Sequence, residues 1–529
     1  MVLCYWDTYD IMMGVCFELK TVVFRHHSKC KLINLFLEVG MAAQIVGRIV
    51  EKRVLEQAYQ SPRAEFIGVY GRRRVGKTYL IRNFFQAKEC VYFQTTGIYK
   101  GKKSAQLSKF MQALGDTFYR GAAMKEVADW PEAFHALTQA IKQEPAQTPI
   151  VLFFDELSWM ATARSGFIGA LEYYWNQYWE MDPRIKLVVC GSAAAWIIKK
   201  IINNHGGLHN RITKKIHLQA FNLAETLLYL KSLEYPCDLA TTLKLYMVMG
   251  GVPFYLNNLD KSESVEQNID RLFFNEHGVF FNEFEEIFSS LFDDSDQYQE
   301  IVTFIATQCE GVSYAQIAAA NPDIVTGGRL TQRLQDLEYT GFINSLIPYG
   351  HKKYGVIYKI SDPYCYFYLR WIKNNKFALK QNSGVQYWKT QMETPDYLSW
   401  KNYAFENACY KHFLAIKKAL RICMGSLGFP WRYVAKKGGA EQGAQIDLLF
   451  DRTDRAITIC EIQYAESGFS IDKDYAEKLL TKIEVFKKIT RTKKQIFLAM
   501  IASHGLRETR YTGLVNQTVT LEALFAQAE

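Results

Sequence analysis

A glycine-rich string in the first part of the chain has the composition of a phosphate-binding loop. Its residues are Gly71, Arg72, Arg73, Arg74, Val75, Gly76, Lys77 and Thr78, which fit G-x-x-x-x-G-K-S/T. In this pattern backbone N–H groups surround the phosphates, the lysine reaches the β and γ phosphates, and the threonine ligates Mg²⁺. A strand pattern over 66–70 precedes the string and a helical pattern over 79–85 follows it. Because that is the context the motif requires, we predict binding of ATP and Mg²⁺ rather than a glycine turn with a chance Lys-Thr pair.

A carboxylate for the metal side follows a second apolar strand pattern, 150–154. Asp155 and Glu156 end this run. We expect Asp155 to hold the Mg²⁺ shell with Thr78 and Glu156 to polarise the attacking water. The alternative is a pair of acids at a helix start, where the helix dipole favours them. The phosphate loop upstream favours the catalytic interpretation.

Two further residues are candidates for the same site. Ser192 follows the strand pattern 187–190, at the carboxyl edge of the predicted sheet, where ligands of open α/β sheets bind. It could read the γ phosphate or orient water, or it could cap the helix that follows. Arg211 precedes the last strand pattern, from which a guanidinium could stabilise charge on a transferring phosphate, or it could be a surface arginine.

The elements that must position these residues alternate between strands and helices. The strand patterns cover 66–70, 91–94, 150–154, 187–190 and 216–221. Short strands separated by longer helical stretches predict a parallel sheet with crossover helices. We therefore expect an α/β domain over 41–225. It follows an extension over 1–40. This extension is either the result of an upstream start codon chosen in error or a short segment particular to this protein.

The rest of the chain predicts three further regions. A helical lid over 226–295 is interrupted by a turn at 250–253. Short helices, including one over 328–341, and two strands around Gly350 and the pair Lys352 and Lys353 predict a winged helix over 296–390. The last region, 391–529, opens with a helix and continues with strands over 446–450 and 457–463.

Composition excludes some classes of protein. The chain has 529 residues, a net charge of +9 and 11 cysteines. An odd number of cysteines without a C-x-x-C pair favours a reducing cytoplasm and argues against a zinc site. The apolar runs are shorter than the roughly 18 residues of a membrane span, so we expect no membrane partner. The positive charge favours a polyanionic partner such as DNA only weakly, because bound ATP and solubility account for it equally well.

Several strings together resemble a known family. They are 46–48, 71–78, 154–159, 190–192 and 250–256. As a set they are similar to the archaeal-type ATPase family of predicted AAA-superfamily P-loop ATPases. The strings 443–448 and 460–462 resemble the restriction-endonuclease-like module often fused to these ATPases. The resemblance implies the roles given above for Lys77, Thr78, Asp155 and Glu156, and it favours Arg211 as a charge-stabilising arginine.

The endonuclease-like resemblance implies a possible second metal site. That fold places acids and a lysine around Mg²⁺, and the matching residues are Glu406, Asp447 and Glu461. The position of the expected lysine holds Gln463, which carries no positive charge, although Lys482 on the following helix could substitute. The alternative is a module that has lost cleavage and serves for interaction.

Together these features predict a multidomain α/β protein: a P-loop parallel-sheet ATPase core, a helical lid, a winged helix and an α/β endonuclease-like C-terminal domain. We expect an ATP-driven switch that acts on DNA, with Arg329, Gln332 and Arg333 facing a DNA groove. The alternative is an ATP-dependent signalling or scaffold protein whose C-terminal half binds other proteins. Self-association is a further possible partnership.

Overall fold

The computed structural model describes residues 45–162, 164–202, 208, 210–320, 326–351, 355–382, 386–435 and 442–526. The predicted extension over 1–40 and the predicted wing residues Lys352 and Lys353 lie outside these residues.

A five-stranded parallel sheet forms the first part of the molecule, with strand order β2-β3-β4-β1-β5. The strands are β1 (Glu65–Tyr70), β2 (Val91–Thr96), β3 (Ile150–Asp155), β4 (Ile185–Gly191) and β5 (Lys214–His217). The helices of this part are α1 (Ile49–Tyr59), α2 (Lys77–Gln86), α3 (Lys103–Phe118), α4 (Trp130–Gln143), α5 (Leu157–Met160), α6 (Phe167–Tyr174) and α7 (Ala194–Ile197). Two π-helical turns, Trp175–Trp179 and Ile198–Ile202, extend α6 and α7.

The central strands are buried on both faces because helices cover the sheet on both sides. Every residue of β3 and of β4 is buried. Continuous apolar runs of this kind are typical of parallel strands covered on both faces. One apolar cluster packs α3, α4 and α6 on one face, and a second packs α1 and α2 on the other.

The fifth strand differs from its prediction over 216–221. It begins at Lys214 and ends at His217. Beyond it, the backbone N–H of Leu218 still bonds the carbonyl of Tyr70, but that of Phe221 bonds the carbonyl of Gly251. The end of the predicted strand is therefore wrong, because the chain has already turned toward the next helical layer.

Helices follow the sheet over 223–291. They are α8 (Leu223–Ser232), α9 (Leu239–Met249), α10 (Pro253–Leu256), α11 (Val265–Ile269) with a π-helical turn at Asp270–Phe274, and α12 (Glu283–Leu291). Gly251 permits the turn between α9 and α10: its φ is 69°, and a Cβ there would lie 2.2 Å from the carbonyl oxygen of Phe221.

A small antiparallel sheet with helices comes next. Its strand order is β6-β8-β7, with β6 (Val312–Ser313), β7 (Ile343–Leu346) and β8 (Ile357–Ile360). The helices are α13 (Ser295–Ala306), α14 (Tyr314–Ala320), α15 (Gly328–Tyr339), α16 (Pro363–Trp371), α17 (Lys376–Asn382) and α18 (Tyr387–Met392). A 3-10 turn, Lys373–Asn375, joins α16 to α17. The predicted leucine stripe of α15, Leu330, Leu334 and Leu337, is buried.

The C-terminal part is a mixed five-stranded sheet of order β15-β13-β11-β10-β9. Its strands are β9 (Leu427–Tyr433), β10 (Ala444–Asp451), β11 (Ala456–Gln463), β13 (Gln495–Ala502) and β15 (Gln517–Val519), beside a short pair, β12 (Phe469–Ser470) and β14 (Leu506–Arg507). Its helices are α19 (Pro395–Lys411), α20 (Phe413–Ala419), α21 (Lys473–Thr490) and α22 (Leu521–Phe525), with a 3-10 turn at Thr512–Leu514.

One apolar core joins most of the elements after the first sheet, and a smaller one packs α21 against the C-terminal sheet. Buried residues from Phe221 to Phe525 form a single cluster through the helical layer, the small sheet and one face of the C-terminal sheet. We call the part of the chain over 221–526 the C-terminal body. Among the described residues, no helix combines the length and the apolar character needed to cross a bilayer.

Candidate functional site

Gly71 shapes the start of the predicted phosphate loop by close backbone packing. Its φ is 148°, and a Cβ at this position would lie 2.1 Å from the carbonyl oxygen of Leu218, just beyond β5. Gly76 has a φ of 91° and directly precedes α2. Both positions require glycine for conformational reasons. The loop therefore lies at the carboxyl ends of β1 and β5, and it leads directly into the N-terminus of α2.

Lys77 lies across its own loop. Its Nζ donates hydrogen bonds of 2.9 Å to the carbonyl oxygens of Gly71 and Arg72, and its side chain is buried. Burial of an ammonium group is costly unless it is hydrogen-bonded, and these two carbonyls satisfy part of that need. The lysine is thus held at the mouth of the loop, within the ring of backbone groups that a phosphate would contact.

The predicted metal ligands lie side by side. The Oγ1 of Thr78, at the start of α2, donates a 2.8 Å hydrogen bond to Oδ2 of Asp155, at the end of β3. Burial, together with the charge of Glu156, raises the pKa of Asp155. A hydroxyl and a carboxylate at this spacing are the oxygen ligands that Mg²⁺ prefers, so the residues present fit the ion.

Glu156 is held by Ser192. Its Oε2 accepts a 3.0 Å hydrogen bond from the backbone N–H of Ser192 and a 2.8 Å bond from the hydroxyl. Glu156 has a φ of 48°, which turns its side chain back toward the end of β4. The alternative role of Ser192 as a helix cap is wrong, because Ala193 occupies the cap of α7 and has no capping hydrogen bond. Ser192 instead fixes the carboxylate that we expect to polarise water.

Arg211 does not join this site. It precedes β5, and the next residues meet the sheet where the N–H of Thr213 bonds the carbonyl of Phe66, near the start of β1. The phosphate loop leaves the other end of β1, about 13 Å away at 3.3 Å per residue. Arg211 is paired with Glu180 at 2.7 Å and is partly exposed. The predicted role of Arg211 at the phosphates is therefore wrong within this chain, because the sheet separates the two.

Sequence reasoning missed the residues that anchor the loop from outside. The Nη2 of Arg48 donates to the carbonyl oxygen of Val75 at 3.1 Å, and its backbone N–H donates to Glu225 at 2.9 Å. Tyr255, Glu283 and Asp362 contact the arginines of the loop. Arg48 and Tyr255 lie in strings that indicate the family but no role at the loop, and the two acids have no local signal.

Two of the three α15 residues that were predicted to face a DNA groove contact other residues of this protein. Arg333 is buried and its guanidinium contacts Asp294 at 3.2 Å, while Gln332 donates to Asp336 at 2.6 Å. Arg329 is exposed. The helix also packs against α7 of the first domain, and Lys199 in the π-helical turn after α7 lies 3.5 Å from Asp336. The predicted groove-facing role of Arg333 is therefore wrong in this conformation, and that of Arg329 and Gln332 stays a prediction.

The three acids of the possible second metal site lie near enough to influence one another's charge, and two lysines pair with them. Asp447 and Glu461 lie one residue beyond the paired residues Leu448 and Cys460 of antiparallel β10 and β11, which puts them opposite each other on one face. Burial, and secondarily Asp447, raises the pKa of Glu461, and burial also raises the pKa values of Glu406 and Asp447. We call Glu406, Asp447 and Glu461 the acidic cluster.

The lysines neutralise the acidic cluster from two sides. The Nζ of Lys482 on α21 donates to Oε2 of Glu461 at 2.6 Å, and that of Lys359 on β8 donates to Oε1 of Glu406 at 2.6 Å. Lys482, the residue that could substitute for the missing lysine, is thus paired with one acid of the cluster. Nowhere in the described part of the chain do three or more His, Cys, Asp or Glu side chains form a group suited to a metal ion.

Comparisons with known proteins bear on the first domain. Residues 46–259 match the family described as an ATPase domain predominantly from Archaea. The match supports a P-loop ATPase domain in this part of the chain. The matched region includes the phosphate loop, Asp155, Glu156 and Ser192, as well as the turn at Gly251.

Individual relatives are distant. An uncharacterized protein of Methanocaldococcus jannaschii is 20% identical over 432 residues, which cover 80% of this chain and 88% of that protein. A Walker-type ATPase of Pyrococcus abyssi is 18% identical with a TM-score of 0.45, covering 62% of this chain and 96% of that structure. The ORC2 protein of Aeropyrum pernix, in its ADPNP-ADP complexes, is 13% identical with a TM-score of 0.40, covering 64% of this chain and 96% of that structure.

Proposed function

We propose that this protein binds and hydrolyses ATP with Mg²⁺ and that hydrolysis drives a switch in its C-terminal body. The observation that carries the proposal is the meeting of Thr78 with Asp155 and of Ser192 with Glu156 at one edge of the sheet. Thr78 and Asp155 would hold Mg²⁺, which neutralises charge on the phosphates when it is bound. Glu156, held in position by Ser192, would be the base that orients the attacking water.

The replacement Lys77→Ala tests this proposal most directly. We expect loss of ATP binding and turnover, because Lys77 supplies the cation that the motif places at the β and γ phosphates. Binding of a fluorescent ATP analogue and release of phosphate with and without Mg²⁺ are the measurements. Lys88→Ala, which removes a surface lysine paired with Glu56 at 2.7 Å, is the matched control. Unchanged binding and turnover in Lys77→Ala would rule the proposal out.

We further propose that the switch acts on DNA. The net charge of +9 and the exposed Arg329 on α15 support a polyanionic partner. Since α15 packs against α7, nucleotide-dependent release of that contact would be needed before the helix could reach a groove. Filter binding of duplex DNA with and without ATP tests the idea, and salt-sensitive binding is the expected result. Absence of binding at low salt favours the ATP-dependent signalling or scaffold protein instead.

For the C-terminal sheet we propose a structural role for the acidic cluster rather than cleavage of nucleic acid. The pairing of Lys359 with Glu406 and of Lys482 with Glu461 supports this role, because it compensates charges that a metal would otherwise balance. Incubation of plasmid and linear DNA with Mg²⁺, for the parent and for Asp447→Ala, tests it. We expect no cleavage by either protein. Metal-dependent cleavage that is lost in Asp447→Ala would establish a nuclease.

A further inference from the structure

Two arginines of the phosphate loop are held by acids of the C-terminal body. Arg72 forms an ion pair with Asp362, and its Nη2 donates a 3.0 Å hydrogen bond to the hydroxyl of Tyr255. Both members of the ion pair are buried. Asp362 also caps α16, since its Oδ1 accepts a 2.8 Å hydrogen bond from the N–H of Cys365. The first x position of the motif is thereby connected to the start of a buried helix some 290 residues away in sequence.

Arg74 makes a parallel contact two residues further along the loop. Its guanidinium stacks on Phe254 at 4.1 Å, and its Nη2 lies 2.8 Å from Oε2 of Glu283, the first residue of α12. The hydroxyl of Tyr255 donates to the other oxygen of Glu283 at 2.9 Å. Tyr255 therefore joins both arginines into one network, which we call the arginine clamp: Asp362, Arg72, Tyr255, Glu283 and Arg74.

The clamp leaves buried donors unused. The Nε of Arg72 and the Nη1 of Arg74 have no acceptor among the described residues, and Arg72 is only 7% exposed. Glu283, which is fully buried, has its Oε2 near Arg74 without the geometry of a hydrogen bond. Unsatisfied buried donors on a cation cost free energy, and an added anion would satisfy them. These donors belong to the loop that cradles phosphates.

The acids of the clamp lie at the start of two helices that share one apolar core. Asp362 and Glu283 start α16 and α12, and both helices contribute to the continuous apolar core over 221–525. Loss of the ion pairs at the loop would free this body at two points without disturbing that core. The clamp is therefore placed where a change at the loop can be passed on to the rest of the chain.

We propose that Asp362 and Glu283 hold Arg72 and Arg74 in the place of nucleotide phosphates, so that a bound nucleoside triphosphate and the C-terminal body compete for the same two arginines. Binding of the triphosphate draws the guanidinium groups to its phosphates and loosens α12 and α16. By linkage, a weaker clamp must strengthen nucleotide binding by the same factor. The inference rests on the proposed binding of ATP at this loop.

Asp362→Asn provides the main test, because asparagine keeps the helix cap and removes only the charge. We expect the dissociation constant of a non-hydrolysable ATP analogue to fall by about tenfold, within the range typical of coupled sites. Asp396→Asn, which removes a carboxylate 2.8 Å from the partly exposed Arg370, is the matched control and should change nothing. If the acids only keep the loop in shape, Asp362→Asn binds the analogue more weakly, and that result overturns the proposal.

Two further variants show whether the gain in affinity arises at the clamp arginines. In an Arg72→Gln background Asp362→Asn should give no further gain, since the competing cation is absent; a gain that persists contradicts the clamp. Glu283→Gln should tighten binding through Arg74 in the same way, and it serves if Asp362→Asn does not give a folded protein by circular dichroism. Amide hydrogen exchange in α12 and α16 of the parent should rise when the analogue binds; unchanged exchange speaks against release.

Failure of the clamp and failure of the ATPase are distinguishable. If Lys77→Ala abolishes binding while Asp362→Asn and Glu283→Gln leave it unchanged, the ATPase stands and the clamp is wrong. If Lys77→Ala binds the analogue as the parent does, the proposed function itself is wrong.

Discussion

The two ionic regions of this molecule are built in opposite ways. At the phosphate loop, Lys77 is bonded to two carbonyls of the loop, and Arg72 and Arg74, although each is paired with an acid, keep donors that no described acceptor satisfies. In the acidic cluster, lysines from separate elements pair with Glu406 and Glu461 at 2.6 Å. Buried cationic donors left without an acceptor on a preformed loop indicate a ligand, whereas buried charges whose partners are hydrogen-bonded to them indicate structure. Variants of the first region should therefore change rates, and variants of the second should change stability.

The largest effect is expected for Glu156→Gln, which tests the first half of this comparison. Glutamine keeps an oxygen for Ser192 but cannot take a proton from water, so the kcat of ATP hydrolysis should fall by about 10²- to 10⁴-fold. Nucleotide affinity and the thermal unfolding midpoint should stay close to those of the parent. Steady-state kinetics, analogue binding and calorimetry provide the three readouts. A kcat within a few-fold of the parent would remove Glu156 from the reaction.

Lys359→Met tests the second half. The change leaves Glu406 buried without its cation, which typically costs about 3 to 5 kcal/mol of unfolding free energy, while the aliphatic stem is kept. Urea unfolding followed by circular dichroism measures it, and the kcat of folded protein should not change. Lys494→Met, which removes a more exposed pair with Asp451, should cost less than about 1 kcal/mol.

The double variant Lys359→Met with Glu406→Gln sharpens this prediction. Because both charges are absent, most of the lost stability should return. If Lys359→Met alone is as stable as the parent, the acidic cluster is not a structural network. The role of Asp447 and Glu461 as potential metal ligands would then be open to the cleavage assay alone.

His412 extends the comparison to pH. It is buried at the end of α19, donates from Nδ1 to the carbonyl of Ala408 and accepts at Nε2 from the N–H of Leu223 at 2.9 Å. Burial lowers its pKa from 6.5 to about 4. The folded state therefore binds fewer protons than the unfolded state between these values, so stability is complete above pH 6.5 and falls as the pH drops toward 4.

The expected loss through His412 is about 2 kcal/mol between about pH 7.5 and about pH 5. Urea unfolding of the parent and of His412→Gln at these two conditions measures it. Other groups titrate in both proteins, so the quantity of interest is the difference between their pH profiles. The variant should be less stable at high pH and lose less on acidification. Parallel profiles would show that His412 is not the group responsible.

The residues of the two regions could be predicted from the sequence where they lie close together in the chain. Residues 71–78 and the acids after β3 could be placed because a motif, its strand and its helix follow one another in the chain. Ser192 was placed at the right edge, but its bond to Glu156 depends on the positive φ of that residue, which no pattern indicates. Lys482 could be considered as a substitute for the missing lysine because α21 follows β11 closely, and it pairs with Glu461.

Long-range partners were not predictable in the same way. Lys359, Glu283 and Asp362 lie in elements with no chemical motif, and each meets its partner only through the packing of the C-terminal body. Arg333 on α15 was misassigned for the same reason. An amphipathic pattern identifies the buried leucines, but it does not show that Arg333 turns inward to Asp294.

The smallest effect is expected for Arg211→Ala, which tests the corrected boundary of the phosphate site. Arg211 and Glu180 form a partly exposed pair at the opposite end of β1 from the loop. Exposed pairs of this kind contribute about 0 to 1 kcal/mol, so the unfolding free energy should change little and kcat should not change. A large fall in kcat that depends on protein concentration would instead mean that Arg211 reaches the phosphates of a second copy. Kinetics over a range of protein concentrations therefore decides whether the site is complete within one chain.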